Sequence, residues 1–216
     1  MNKFFDYTKQ VFKGKSLGRI LFNWLVFKYA QDLKGRGLDL AGGNSPSYLK
    51  YLPKEGIEIA RTDFEEGQNI DRVVDLNKEL DFEDSSMDFV FLFNFLYIIK
   101  KPEELISEIY RILKKDGQLL VSSPFMFNEA PEPDDFRRLT SQGLKELFSQ
   151  AGFKKIEIIP YGERFSVTVS LINPFLLFNF IRFFAYGKAL LFDKLIPRKI
   201  KEKHSCPLAY FVIVKK

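Results

Sequence analysis

The sequence predicts an α/β fold: a mostly parallel seven-stranded sheet with helices on both faces. Three observations carry this expectation. Short apolar runs alternate with amphipathic helical stretches, a pattern that right-handed crossovers turn into a parallel sheet. Met87–Phe93 is a nearly continuous apolar run, as expected of a strand covered on both faces. Polar residues recur just after the apolar runs, at the carboxyl ends of the strands, where such sheets bind ligands.

The elements follow in order. Leu17–Leu33 carries apolar side chains at helical spacing, interrupted by Arg19, Asn23 and Lys28, with Ser16 placed as N-cap. The first strand is read at Gly37–Leu40. Pro46 suits the first turn of a short helix. Ile57–Arg61 reads as a second strand and Arg72–Asp75 as a third, while Leu76–Ser86 is too polar and turn-rich for a full crossover helix. After the strand Met87–Phe93, Pro102–Leu113 places Leu105, Ile106, Ile109, Ile112 and Leu113 on one helical face. Lys115-Asp116-Gly117 closes that helix, and Gln118–Ser122 is the next strand. Ser141–Ala151 is a helix stopped by Gly152; Ile156–Ile159 and Tyr210–Val214 complete the strands. We read one domain over 1–216: a helical cap at 1–34, a cofactor-binding core at 35–160, an apolar helical insertion at 161–205 and a last strand at 206–216.

The bulk properties narrow the function classes. The 216 residues are 46% hydrophobic and 16% aromatic, which excludes a disordered tail. A net charge of +5 suits an anionic membrane, an acidic substrate or nucleic acid without choosing among them. Cys206 is the only cysteine, so no intramolecular disulfide forms and a reducing compartment is expected. The chain lacks a Cys/His cluster, so no metal site is expected. No apolar run at the start reads as a signal peptide.

The most informative stretch is Gly37-Leu38-Asp39-Leu40-Ala41-Gly42-Gly43-Asn44-Ser45. An apolar strand runs into an acid and then a Gly-Gly turn, which lets a ligand approach the main chain. A dinucleotide-phosphate loop would leave the acid's place apolar. Asp39 therefore points to a ligand carrying positive charge, and the ammonium and sulfonium of S-adenosylmethionine fit. Asp63, Asp75-Leu76 and Asn94 follow other strands at the same edge. Each also has a plainer role open to it: Asp39 in a turn, Asp63 as a surface acid, Asp75 in Asp-Leu-Asn turn chemistry, Asn94 as a helix cap.

These segments, in this order, resemble the class I S-adenosylmethionine-dependent methyltransferases of the type 11 methyltransferase-domain kind. The resemblance spans about Arg36 to Pro160. It includes Leu38–Pro46 as cofactor loop, Thr62-Asp63, Asp75-Leu76-Asn77 with Leu80-Asp81-Phe82, Ser86–Val90, and Glu108–Leu120 as a helix–turn–strand signature. Asp134–Thr140, Gly143-Leu144 and Ala151-Gly152-Phe153 are similar to a subgroup found near cell-surface polysaccharide genes. The resemblance implies a Rossmann-like sheet, S-adenosylmethionine as cofactor, and cofactor contacts from Asp39, Ala41, Gly42, Gly43, Asp63 (to the ribose), Asp75, Leu76 and Asn94. The chain departs from the pattern at Ala41 and Ser45, where relatives carry glycine. Tyr97 and Ile98 stand where many carry an acid–histidine pair. The sole histidine, His204, lies far along the chain, so the usual histidine base is missing.

Candidate bases are Glu129, Asp134 and Asp135, in a run equally readable as a solvated loop; Tyr97 is a candidate to position an acceptor hydroxyl. Two competing motifs fail: Gly14-Lys15-Ser16 lacks the preceding strand and earlier glycine of a phosphate loop, and Asn94-Phe95-Leu96-Tyr97 lacks the prolines of amino-methylating enzymes that act on nucleic acids.

Val167–Leu195 is rich in Phe, Leu and Ile, but Pro174, Asn179 and Arg182 interrupt it, so no membrane span is expected. A helix starting at Pro174 would carry Asn179, Arg182, Asp193 and Lys194 as a narrow polar stripe, with Lys188 opposite. Basic residues follow at Arg198-Lys199-Ile200-Lys201. This suits an interfacial helix on anionic lipid; a core or lid helix, or a dimer contact, is the alternative. The expectation is methyl transfer from S-adenosylmethionine to an oxygen of a small-molecule, glycan or lipid-linked acceptor. The alternative is an inactive S-adenosylmethionine-binding module acting at a membrane surface. The expected setting is cytoplasmic or peripheral at the inner membrane face, with an anionic membrane or a homodimer as partners and nucleic acid not expected.

Overall fold

The computed structural model describes residues 1–130 and 134–216. Strands β1 (Gly35–Leu40), β2 (Ile57–Asp63), β3 (Arg72–Val73), β4 (Met87–Phe93), β5 (Leu113–Pro124), β6 (Lys155–Tyr161) and β7 (Ala209–Lys215) form one sheet in the order β3-β2-β1-β4-β5-β7-β6. The first five are mutually parallel, and β7 runs antiparallel to both β5 and β6. The chain steps outward from β1 to β3 and then crosses back to β4. This reversal opens a crevice between β1 and β4 at their carboxyl ends.

Alternation along β4 sorts its side chains onto two cores. Val90 and Leu92 join Leu38 and Leu40 under α3 (Pro102–Ile112) and α4 (Ser141–Gln150). Phe89, Phe91 and Phe93 pack with Phe22 and Val26 of α2 (Leu17–Tyr29) on the other face. Their rings follow one another at 5.2 and 5.0 Å. Helices therefore cover both faces, and the β4 run is buried as its composition predicts.

Several boundaries differ from expectation. Helix α1 (Lys3–Phe12) precedes the anticipated one; Asn2 caps it by accepting from the Phe4 N–H at 3.1 Å. The helix expected near Pro46 is a single 3₁₀ turn, Leu49–Tyr51, because Tyr48 and Tyr51 turn inward into the core. The third strand is only two residues long, ending where Asp75 begins its turn. The Lys115-Asp116-Gly117 stop is a bulge inside a longer β5, with Asp116 at φ 63°. Ser16 caps α2 as expected, and Thr140 caps α4.

A polar chain ties α1 to the loop after β1. Asp6 accepts from Trp24 Nε1 at 2.8 Å, from Tyr51 Oη at 2.7 Å and from Gln10 Nε2 at 2.6 Å. Gln10 accepts from Asn23 at 2.6 Å, and Asn23 accepts from Ser47 at 3.2 Å. The N-terminal helices are thus keyed to the loop through satisfied buried polar groups.

Between β6 and β7 the chain forms α5 (Arg164–Leu171), a 3₁₀ turn at Asn173–Phe175, α6 (Asn179–Leu195) and α7 (Arg198–Lys203). The expected polar stripe on α6 is largely turned inward. Arg182 donates to the Leu176 carbonyl at 2.7 Å, Asn179 to the Phe12 carbonyl at 3.3 Å, and Asp193 is buried. Tyr186 and Ala189 pack on Tyr7, Val11, Leu17 and Ile20, so the helix seats on α1 and α2 rather than on the sheet. Among the described residues no helix is long and apolar enough to cross a membrane.

Candidate active site

Four strand ends deliver the anticipated residues to one edge. Asp39 is the penultimate residue of β1, Asp63 ends β2, Asp75-Leu76 follows β3, and Asn94 follows β4. Because β3, β2, β1 and β4 are neighbours in the sheet, these residues line a continuous rim.

Asp39 is fully buried. Its Oδ2 accepts from Tyr48 Oη at 2.5 Å, while Oδ1 is buried with no partner among the described residues. Burial pushes the carboxyl up to about 6, against the opposing pulls of the Tyr48 hydrogen bond and the Arg61 charge. The loop lies directly on this acid. A Cβ on Gly42 would fall 2.3 Å from Oδ2 and 2.9 Å from Oδ1, so only glycine fits. Gly43 has φ +70°, and a Cβ there would lie 3.8 Å from Asp63 Oδ2, which brings the second acid beside the turn. Ala41 adopts φ 59°, a left-handed conformation that glycine takes without penalty.

The other rim residues hold local turns. Asp63 accepts from the Phe64 N–H at 2.7 Å. Asp75 accepts from the Asn77 N–H at 3.0 Å and pairs with Lys78 at 3.2 Å. The Asn77 N–H, opposed by partial burial and joined by Lys78, holds the Asp75 carboxyl below its usual range. Leu76 is buried in the core, which leaves its backbone at the rim.

Asn94 sits at φ 56°, a conformation asparagine tolerates better than most residues. Ser122 Oγ donates to Asn94 Oδ1 at 2.9 Å. Ser122 has one proton and gives it to Asn94, so Tyr161 Oη, 2.9 Å away, donates to Ser122. Burial pushes the Tyr161 hydroxyl up to about 12. This relay fixes the Asn94 carbonyl and turns its amide N–H groups away from it. Ser122 and Tyr161 were not anticipated. Each lies in an apolar strand, and only sheet pairing through β7 brings them together.

Two cavities meet at Asn94. One, of about 340 Å³, is bordered by Ala41, Gly42, Ser45, Lys15 and Arg19. The other, of about 310 Å³, is bordered by Phe22, Phe127, Tyr161, Ser170, Asn173 and Pro174. Arg19, Asn94 and Tyr97 border both. Among the described residues Arg19 has no ion-pair partner; its guanidinium lies 5.5 Å from the Phe22 ring centre. A larger basin of about 730 Å³, bordered by Lys13, Lys15, Lys50 and Arg61, lies across the loop.

The candidate bases are placed differently from one another. Asp135 is held by Arg138 through both oxygens, the Oδ2 contact at 2.6 Å, and accepts from the Ala130 N–H at 2.9 Å. Arg138 holds its carboxyl below the usual range. Glu129 and Asp134 are exposed; residues 131–133 of the same run lie outside the described residues. Tyr97 borders both cavities, with the Arg138 guanidinium 5.3 Å from its ring centre. Burial raises its hydroxyl, with Asp135 adding to the effect. Among the described residues, which leave out Glu132, no carboxylate borders either cavity.

The residues present suit S-adenosylmethionine: a buried acid with one oxygen lacking a partner among the described residues, a glycine turn pressed on it and a second acid at the next strand end. Comparison with known proteins agrees. Residues 38–121 match the family model of a methyltransferase domain. An uncharacterized protein of Methanocaldococcus jannaschii is 23% identical over 73% of this chain and 83% of its own length. A solved S-adenosylmethionine-dependent methyltransferase from Archaeoglobus fulgidus superposes with a TM-score of 0.62 over 92% of this chain and 94% of that one, at 20% identity. The [4+2]-cyclase SpnF superposes with a TM-score of 0.58 over 90% of this chain and 79% of that one, at 19% identity. The chain has the class I S-adenosylmethionine-dependent methyltransferase fold, with a methyltransferase domain matched at residues 38–121.

Proposed function

We propose that this chain transfers the methyl group of S-adenosylmethionine to an oxygen of a small-molecule, glycan or lipid-linked acceptor. The observation that carries the proposal is the junction at Arg19, Asn94 and Tyr97, where a cavity on the glycine loop meets a second, partly apolar cavity. When bound, S-adenosylmethionine supplies an electrophilic methyl group on a positively charged sulfur.

The chain's residues would bind, orient and exclude water. Asp39 Oδ1 would accept from the cofactor's ammonium. Asp63 would accept from the ribose hydroxyls, and Asp75 with the Leu76 backbone would meet the adenine. Ala41, Gly42 and Gly43 would let the ligand approach the main chain. Arg19 and Lys15 supply positive charge for a carboxylate. On the acceptor side, Asn94 and Tyr97 would orient the oxygen. Holding the reacting atoms about 3–3.5 Å apart and in line supplies several kcal/mol. With Arg19 at both cavities and no carboxylate among the described residues that border them, the reading favours an acceptor oxygen that arrives already ionised, such as a carboxylate, with Arg19 opposite its charge.

The test is transfer of labelled methyl from S-adenosylmethionine into fractions of a cell extract, split into carboxylate-bearing and neutral pools. Label in the carboxylate pool, abolished in Arg19→Gln, supports the reading; label only in the neutral pool contradicts the ionised acceptor. A second reading, a cofactor-binding module without turnover at a membrane surface, is favoured by the lack of a bordering carboxylate or histidine among the described residues. Tight S-adenosylmethionine binding with no label in any fraction would select it.

A further inference from the structure

We propose that the outer surface formed by α1, α6 and α7 docks on an anionic lipid bilayer. The argument starts from the inversion of α6. Its polar side chains bond inward: Asp193 accepts from the N–H groups of Glu163, Phe165 and Ser166 at 3.0, 2.9 and 3.2 Å, so its charge caps α5. Arg182 and Asn179 satisfy backbone carbonyls. Tyr186 and Ala189 face the protein, and a second apolar set points outward. Ile181, Phe184, Leu191 and Leu195 form one exposed stripe at three- and four-residue spacing, interrupted only by Lys188.

The stripe continues into neighbouring elements. Phe175 is 82% exposed and Leu177 74% exposed, with Phe178 and Phe180 stacked at 5.7 Å beside them. Helix α1 adds exposed Phe4, Phe5 and Phe12. Phe4 and Phe12 lie 6.4 and 6.2 Å from Phe183, which joins the two helices into one surface. An exposed patch this continuous marks an interaction site.

Charge selects the occupant. Lys188 and Lys194 lie on α6 itself, and Lys199, Lys201 and Lys203 follow on α7, two residues further along the chain. The nearby acids are already engaged: Asp193 caps α5, Glu202 pairs with Arg198 at 2.6 Å, and Asp6 is held within the N-terminal polar chain. Two copies of this surface would bring like charges together, whereas anionic headgroups complement them. Phenylalanine and leucine on one face with lysine at the flanks is the chemistry of a helix lying in a membrane interface. The acceptor-side cavity is bordered by Ser170, Asn173 and Pro174, immediately before the apolar run, so docking would set that cavity at the lipid surface.

The docking proposal does not require turnover and is measured apart from it. The full chain is sedimented with vesicles of phosphatidylcholine alone, or with about 30% phosphatidylglycerol added, at low and high salt. The expected result is co-sedimentation with the anionic vesicles, weakened by salt. Binding should fall about tenfold or more in Phe180→Ser/Phe184→Ser/Leu191→Ser and again in Lys199→Glu/Lys201→Glu/Lys203→Glu. Five of the six positions are exposed and Lys201 is half-buried, and calorimetry with S-adenosylmethionine checks that each variant keeps its fold. Wild-type protein that stays in the supernatant overturns the proposal, as does vesicle binding unchanged in the serine variant. So does a dimer in light scattering that the serine substitutions dissociate while vesicles bind neither form.

Discussion

Tyr48 donates its hydroxyl to Asp39 Oδ2 at 2.5 Å, and this buried bond closes the glycine loop on the strand that begins it. Tyr48 stands just past the loop, Asp39 just before it, and Gly42 lies against the carboxylate between them. Among the described residues the other carboxylate oxygen has no partner, and burial pushes the acid up to about 6.

The sign of the resulting pH dependence is definite. Because the folded pKa is raised above the unfolded one, the proton stabilises the fold. That stability is fully present below the unfolded value of about 3.9 and is lost as pH rises through about 6. Cofactor binding runs the other way, because only the ionised acid pairs with an ammonium. Calorimetric titration with S-adenosylmethionine should show affinity increasing as pH rises through about 6. Asp39→Asn should flatten that dependence and weaken binding by about 1–3 kcal/mol. An unchanged pH profile in the variant would remove Asp39 from the cofactor site.

Neighbouring loop positions should respond to small substitutions in opposite directions. Ala41→Gly relieves a left-handed alanine and should stabilise the protein by about 1 kcal/mol in urea unfolding. Gly42→Ala drives a methyl to 2.3 Å from Asp39 Oδ2 and should lose most cofactor binding. Equal effects at the two positions would contradict this loop geometry.

Asn94 combines a backbone and a side-chain role, and two substitutions separate them. Asn94→Gly keeps the left-handed backbone but loses the bond from Ser122; Asn94→Ala loses both. Thermal melts should show the alanine variant about 1 kcal/mol less stable than the glycine variant. Methyl transfer should fall similarly in both, since each lacks the amide at the cavity junction.

Asp193 should govern the insertion independently of the site. Asp193→Ala leaves three backbone N–H groups of the α5 start without their acceptor and should cost about 1–3 kcal/mol. Hydrogen exchange should quicken first in α5 and α6, while β1 and β4 keep their protection. Uniform loss of protection would mean that the insertion unfolds only with the whole domain.

Local chemistry made much of the fold legible. The period-two and helical patterns placed β1, β2, β4, α2, α3 and α4 to within a few residues. The loop motif anticipated an acid under a glycine turn. Helix α1 was missed, although Asn2 as cap and the spacing of Tyr7 and Val11 signal it. The Lys115-Asp116-Gly117 stop was read as an ending because a bulge uses the same turn residues as a terminus. The α6 stripe was recognised as polar on one side, but periodicity does not say which side meets the protein.

The sequence by itself determined the strands' apolar runs and the acid-glycine loop, because each depends on residue type over a few neighbours. Tertiary structure alone decided that Ser122 and Tyr161 support Asn94, that Asp135 is held by Arg138, and that Ile181, Phe184, Leu191 and Leu195 of α6 face outward. Those outcomes depend on contacts between residues far apart in the chain, where hydrogen-bond pairing and burial, rather than local propensity, select the partner.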